Sequence, residues 1–292
     1  MTEVAKPTSR PPGAEFPDID RVAARELRVL VLTGYGLNCE AETAAGFTML
    51  GAQVDLRHVA DVLDGGPEVL APYGLLAFIG GFSFGDHVAS GRVLANRLRH
   101  RLGDRLRRFV ADGGLCLGIC NGFQTLIKLG LLPGGDAELR QTVSLTDNDR
   151  LGYWDAWVRL WVDPASPCVF TRGLSEMVVE FPSRHGEGKL VYADATLRQA
   201  LAAAHQVPVR YADATGAPTE AWPDNPDGSP GGAAGLCDAS GRVFGLMPHP
   251  EAYLYPENHP RWIAQRAAGT LPDVGLGLHL LANGVRAALA GS

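Results

Sequence analysis

Three continuous apolar runs punctuate the first half of the chain: Arg28-Val29-Leu30-Val31-Leu32-Thr33 ahead of Gly34, Leu75-Leu76-Ala77-Phe78-Ile79 ahead of Gly80-Gly81, and Leu115 to Ile119. Runs of this length without alternation are the pattern of strands covered on both faces, as in a parallel sheet. Gln53 to Val59 alternates as a further strand would. Between the runs, Glu40 to Leu50 and Arg92 to Asp112 predict helices. From Gly122, the residues Phe123, Leu126, Ile127 and Leu131 trace one helical face. Strand, helix, strand, strand, helix, strand, helix at these lengths predicts an α/β fold with a doubly wound, mostly parallel sheet. Such sheets bind ligands beyond the carboxyl ends of their strands, which singles out the loops Gly34 to Asn38, Gly80 to Asp86 and Gly118 to Gln124.

From about 139 to 250 the pattern changes to alternating segments such as Trp154 to Val162 and Val178 to Phe181, divided by Pro, Gly and Asp. These predict antiparallel strands appended to the same domain. Asp224 to Gly232 reads as a long loop and Gly275 to Leu289 as a closing helix. The domain is expected to run from 28 to 292, behind a mobile N-terminal tail at 1–27 that is rich in Pro and polar residues at its start.

Composition narrows the functional classes. Of 292 residues, 46% are hydrophobic, enough for a core that needs no disulfide or structural metal. Lys and Arg number 26 against 32 Asp and Glu, a formal charge of −6. The densest basic stretch, Arg97 to Arg108, carries Leu98, Leu102 and Leu106 at four-residue spacing, so its arginines fit the wet face of an amphipathic helix rather than a nucleic-acid footprint. Five cysteines form no C-x-x-C pair and no zinc-finger spacing. No signal peptide and no membrane-spanning run is predicted, so the expected location is the cytoplasm, where a thiol stays reduced and available for chemistry.

Gly118-Ile119-Cys120-Asn121-Gly122 lies where a buried strand meets a helix. This is the setting of a nucleophile elbow with Cys in place of Ser: small neighbours allow the sharp turn, and the helix N-terminus favours a thiolate and offers N–H groups to an oxyanion. Neighbouring Cys116 reads as an ordinary core cysteine. His249-Pro250-Glu251 offers a base and a carboxylate; in extended chain residues two apart share a side, so Glu251 can fix the His249 ring. Gly80-Gly81-Phe82-Ser83-Phe84-Gly85-Asp86 is glycine-dense and lacks the Lys-Ser/Thr of a P-loop, which favours acyl chemistry over phosphate binding.

Together, Gly-Gly-Phe-Ser-Phe-Gly-Asp (80–86), Gly-Ile-Cys-Asn-Gly-Phe-Gln (118–124), His-Gly-Glu-Gly (185–188) and Met-Pro-His-Pro-Glu (247–251) resemble the class I glutamine amidotransferases, and within them the glutaminase subunits of phosphoribosylformylglycinamidine synthase. Asn38-Cys39-Glu40, Ser166 to Phe170 and Asn225 to Ser229 are also similar. The resemblance spans about residues 28 to 290. It implies a flavodoxin-like class I amidotransferase fold, with Cys120 as nucleophile, His249 as proton shuttle and Glu251 as its orienter. Gly81 or Phe82, with Asn121, would lend oxyanion amides, and Gln124 would help hold glutamine. His185 and Glu187 fall in a loop near the catalytic face, to be read either as a partner contact or as a tight glycine-framed turn. The implied partners are L-glutamine, a large PurL-like synthetase subunit carrying ATP and Mg, and a small PurS-like bridging subunit. No cofactor, metal, nucleic acid or membrane is expected on this chain.

The first loop, Gly34-Tyr35-Gly36-Leu37-Asn38-Cys39, departs from the shorter Pro-Gly-Ser-Asn-Cys of small subunits. Arg150 and Ala156 also depart from the family pattern, and Tyr253 to Trp262 is an insertion for which the sequence suggests no role. Two other readings remain: an amidotransferase serving a different synthetase, and a non-catalytic α/β scaffold.

Overall fold

The computed structural model describes residues 13–134 and 138–291. Its strands are β1 (Arg28–Thr33), β2 (Gln53–His58), β3 (Leu75–Phe78), β4 (Leu115–Ile119), β5 (Val143–Thr146), β6 (Trp154–Val162), β7 (Val179–His185), β8 (Lys189–Tyr192), β9 (Val209–Ala212), β10 (Gly235–Cys237) and β11 (Val243–Leu246). The helices are α1 (Arg21–Ala24), α2 (Glu40–Met49), α3 (Val59–Leu63), α4 (Arg92–Ala111), α5 (Asn121–Leu129), α6 (Ala195–Ala203), α7 (Trp262–Ala268) and α8 (Gly277–Gly291).

Six strands form the main sheet in the order β10-β11-β4-β3-β1-β2, all parallel except β10, which is antiparallel to β11. The three apolar runs became β1, β3 and β4, and every residue of β3 and β4 is buried. Edge strand β2 is half-exposed, in keeping with its polar residues. A second, antiparallel sheet β7-β6-β9 and a ribbon β5-β8 make up the appended layer. The sheet is therefore α/β, doubly wound and mostly parallel, as the periodicity predicts.

One segment read as an appended antiparallel strand belongs elsewhere. β11 pairs in parallel with β4, with Gly245 opposite Gly118. A four-residue run containing a glycine carries no period that would reveal its partner. The consequence is functional, because this placement brings the chain after β11 to the same sheet end as the chain after β4.

Those paired glycines also let α5 settle onto the sheet. A Cβ on Gly245 would lie 2.0 Å from the Phe123 ring, and one on Gly118 would lie 2.6 Å from Leu126. The expected single apolar face of α5 understates the result, since every residue of the helix is buried, including Gln124, Thr125 and Lys128.

The tail expectation needs correction over 13–27, while residues 1–12 lie outside the described residues. Ala14, Ala24 and Leu27 are buried. Asp20 caps α1 by accepting from the N–H groups of Val22 and Ala23 at 3.0 Å. Asp273 N–H donates to the Ala14 carbonyl at 2.6 Å, and Arg286 donates to the Asp18 carbonyl at 2.9 Å. Burial of these apolar side chains and the hydrogen bonds from Asp273 N–H and the Arg286 side chain hold the segment down. Among the described residues, no helix is long and apolar enough to cross a membrane.

Candidate active site

The chain segments following β1, β3, β4 and β11 converge at the carboxyl end of the sheet. Cys120 sits between β4 and α5 with φ +51°, a conformation strained for a side chain with a Cβ and typical of an elbow. Its N–H donates to the Leu246 carbonyl at 2.9 Å, and its carbonyl accepts the first helical bond from Gln124 N–H at 3.0 Å. The thiol points at the Arg184 carbonyl, 3.8 Å away.

His249 is anchored by its N–H to the Pro182 carbonyl at 2.7 Å, and its Nδ1 is bonded to Glu251 Oε1 at 2.6 Å. The contact arises through a short 3-10 turn at Pro250–Ala252 rather than through extended chain, because the fixed φ of Pro250 starts a turn. Both side chains are buried. Burial disfavours a charged ring, yet the Glu251 carboxylate and the Cys120 sulfur outweigh it and hold the His249 pKa well above the usual imidazole range. Among the described residues, His249 Nε2 meets no partner in full hydrogen-bond geometry, while the Cys120 and Cys39 thiols interact with the ring. A charged imidazole beside the Cys120 sulfur is an acid placed to give its proton to the leaving nitrogen once the sulfur has attacked.

A cavity of about 230 Å³ opens on this group. It is lined by Cys120, His249, Gly81 and Phe82 together with Gln124, Tyr153, Arg184 and Glu187. The Phe82 N–H is already donated to the Gly36 carbonyl at 2.9 Å, so Phe82 is withdrawn as an oxyanion donor. Among the described residues, no backbone bond engages the Gly81 N–H, and Gly81 lines the cavity. The Asn121 amide lies at the start of α5, where helix N–H groups lack internal partners.

The Asn121 side chain has a bracing task. Its Oδ1 accepts from Ser83 N–H at 3.3 Å, and its Nδ2 donates to Asp86 Oδ1 at 2.9 Å and to Gln124 Oε1 at 3.0 Å. Gln124 in turn donates to the Glu187 carbonyl at 2.6 Å, holding the 185–188 loop over the cavity. Lys128, one helical turn further along, is buried and donates to the Ser90 carbonyl. Burial pulls its pKa down to about 8. Ser90 N–H donates to Glu187 Oε2 at 3.2 Å, which closes a ring of contacts joining α5, the 83–90 loop and the 185–188 loop. The spacing Gln124, Lys128 is the signal that both face one way; a polar pair on a buried helix points to that loop contact.

His185 is not on a partner surface. It is buried, bonded through Nε2 to Ser183 Oγ at 2.9 Å and through Nδ1 to Asn148 Oδ1 at 3.2 Å. Its pKa is pushed down to about 3, by burial first and then by the charge on His249. His185 closes β7 with the glycine-framed turn following it, and both His185 and Glu187 line the cavity. Sequence reasoning assigned no site role to Cys39, Glu42, Asp86, Ser90, Tyr153 or Arg184, all of which line the cavity.

The loop is braced from behind by the segment read as a long loop at 224–232. Asn225, Asp227 and Ser229 are buried. Asp227 accepts from Tyr211 O–H and Ser229 N–H, both at 2.8 Å, and Ser229 Oγ accepts from Leu190 N–H at 2.9 Å. Burial raises the Asp227 carboxyl to about 6. A carboxyl that binds its proton more tightly folded than unfolded adds stability below the unfolded pKa of about 4. That contribution is lost as pH rises to about 6 and amounts to roughly 3 kcal/mol. Asp227→Asn is expected to remove this slope, so that denaturant titrations between pH 4 and 6.5 show wild type losing stability relative to the variant. Parallel curves would refute the assignment.

Comparison with known proteins agrees with this geometry. Residues 26–286 match the CobB/CobQ-like glutamine amidotransferase domain. The chain is 39% identical over 261 residues to a phosphoribosylformylglycinamidine synthase subunit PurQ of Dehalococcoides mccartyi, covering 89% of this chain and 97% of the relative. It is 36% identical to human phosphoribosylformylglycinamidine synthase over 78% of this chain and 18% of that much longer protein. Among solved structures, a chain of PurLQS from Thermotoga maritima superposes with a TM-score of 0.65 at 25% identity, over 89% of this chain and 98% of that one. With the domain matched over most of its length and a relative this similar end to end, the chain belongs to the PurQ family of glutamine amidotransferases.

Proposed function

We propose that this chain is the glutaminase of a phosphoribosylformylglycinamidine synthase, releasing ammonia from glutamine for a separate synthetase subunit. The observation that carries the reading is Cys120 on its strained elbow facing a charged, Glu251-bound His249 across a cavity of amino-acid size.

Glutamine enters with its carboxamide over Cys120. The Cys120 sulfur, its proton already held by His249, attacks the carboxamide carbon as a thiolate, and the oxyanion that forms faces the Gly81 and Asn121 N–H groups. His249 gives its proton to the departing nitrogen, the C–N bond breaks, and ammonia leaves a cysteinyl thioester. His249 then takes a proton from water as the water attacks the thioester, releasing glutamate and the Cys120 thiolate and restoring the charged ring. Glu251 holds the ring throughout and balances its charge. Gln124 acts as a brace for the 185–188 loop as well as a wall of the substrate cavity.

The synthetase partner, PurL-like and carrying ATP and Mg, would cover the cavity mouth. Phe82 and Tyr153 stand at that mouth 47% and 57% exposed, with ring centroids 6.2 Å apart. Val88 and Leu151, each 90% exposed, sit on the same two segments. A small PurS-like subunit would bridge the two larger chains.

The test mixes this chain with the large synthetase subunit from the same source. Glutamine-dependent formation of formylglycinamidine ribonucleotide from formylglycinamide ribonucleotide is expected. Glutamine turnover is expected to rise at least about tenfold when partner, ATP and acceptor are all present, because closure of the site depends on the partner. Equal turnover with and without them overturns the coupling. Absence of product, while the large subunit alone works with ammonia, would assign this glutaminase to another synthetase.

A further inference from the structure

Cys39 takes no part in the mechanism above, yet it is buried against the proton shuttle. Its Sγ lies within 4.8 Å of a ring nitrogen of His249, and the thiol interacts with that ring. Gly80 leaves room for the contact: a Cβ there would lie 2.9 Å from His249 Cε1 and 3.1 Å from Cys39 Sγ. Cys39, Cys120 and His249 all line the cavity. The ring therefore has a carboxylate on Nδ1, at 2.6 Å, and two thiols beside it, of which the reaction uses one.

The local structure makes no other use of this sulfur. Cys39 stands at the start of α2 but forms no side-chain cap bond to the helix. Its S–H donates to Asn38 Oδ1 at 3.5 Å, which leaves the sulfur lone pairs to accept. Burial pushes the thiol's pKa up, against the smaller opposing effect of the His249 contact, so Cys39 keeps its proton. It is a neutral acceptor and not a second nucleophile.

The two halves of the reaction ask different things of such an acceptor. Before acylation the ring is already charged beside the Cys120 thiolate, so a contact with Cys39 is present in the ground state and changes the barrier little. After acylation the Cys120 sulfur is bonded to carbon, and the ring, having given its proton to ammonia, is neutral. When water attacks, the ring becomes charged again without its anionic sulfur partner. An acceptor that gains a bond as the ring charges lowers that barrier selectively.

We propose that Cys39 is a positioning residue for thioester hydrolysis, its sulfur accepting the N–H of the recharging His249 ring while Cys120 is held in the thioester. The water proton goes to His249, the water oxygen to the thioester carbon, and the C–S bond breaks to return the Cys120 thiolate. Cys39 forms no covalent bond and loses no proton. The inference rests on the glutaminase function proposed above.

The test uses the full-length chain with the large synthetase subunit, ATP and acceptor at saturating glutamine, and quenches turnover with acid. Intact mass then gives the ratio of thioester to free chain. In Cys39→Ala that ratio is expected to rise about tenfold, the scale of one hydrogen bond to a charged group. Steady-state kinetics should show kcat falling and KM falling with it, so that kcat/KM, which reports acylation, stays within about threefold of wild type. Cys39→Ser, which keeps an acceptor, should return the ratio to within about threefold of wild type. If Cys39→Ala does not fold, Cys39→Val, which fills the space and offers no acceptor, takes its place. A variant that accumulates no more thioester than wild type overturns the inference. So does a kcat/KM that falls as far as kcat, because a distorted site slows acylation as well. Either result with an active wild type leaves the proposed function standing. A wild type that turns over no glutamine removes that function, and the inference with it.

Discussion

Cys120→Ala is expected to lower glutamine-dependent product formation at least about 10⁴-fold while leaving ammonia-dependent synthesis by the reconstituted complex unchanged. The substitution is clean because alanine and cysteine meet the same backbone strain at φ +51°, so the variant loses the sulfur and little else. The thiol's contact with the Arg184 carbonyl, at 3.8 Å, is long and contributes little to stability. The thermal midpoint should therefore stay close to that of wild type. A factor of 10⁴ corresponds to about 5.5 kcal/mol of transition-state stabilisation, the scale on which loss of a covalent nucleophile differs from loss of a hydrogen bond. Retention of more than about 1% of the glutamine-dependent rate would reject Cys120 as nucleophile, and with it the thioester. Loss of the ammonia-dependent rate as well would point to damaged assembly rather than damaged chemistry.

Much of this site was legible in the residues, and what was not has a common cause. The strands β1, β3 and β4 are self-evident because burial on both faces demands uninterrupted apolar residues, and the glycines that follow them mark the loops. Cys120, His249 and Glu251 are recognisable because a strand-to-helix turn and a His-Pro-Glu tripeptide carry their own local chemistry. What brings them together is not local. β11 has no period to declare that it lies beside β4, and that single pairing places His249 opposite Cys120. The buried polar groups were equally hidden. Asn225, Asp227 and Ser229 look like a solvated Pro-Gly loop, since composition cannot show that they satisfy one another and Tyr211. Lys128 looks like an exposed helix residue until its contact with the Ser90 carbonyl is seen. Phe82 is misjudged for the same reason, because only the fold shows that its N–H is already given to Gly36. Sequence patterns report what each side chain prefers, and the tertiary partners of polar groups lie outside that report.

Gly122→Ala is expected to lower both stability and turnover through a main-chain clash beside the nucleophile. A Cβ at Gly122 would stand 1.8 Å from the Phe78 carbonyl oxygen and 2.4 Å from its carbon. Both are main-chain atoms at the carboxyl end of β3, so no rotamer change can relieve the clash. The first turn of α5 must instead lift from the sheet by more than about 1 Å, against tight packing of the same helix over Gly118 and Gly245. Overpacking of this kind costs about 3 kcal/mol or more, which in a chain of this size lowers the thermal midpoint by roughly 6–10 °C. The movement carries Cys120 and the Asn121 amide with it, displacing nucleophile and oxyanion donor from His249 together. A displacement near 1 Å is sufficient to reduce kcat by about 10²-fold. Gly66→Ala supplies the contrast: a Cβ there meets nothing within 4 Å, and the variant should match wild type within about 0.5 kcal/mol. Calorimetry and steady-state kinetics on the two variants separate the cases. If Gly122→Ala melts with wild type and keeps its turnover, α5 can rise from β3 without moving Cys120, and the close seating of the helix is not what sets the geometry of the elbow.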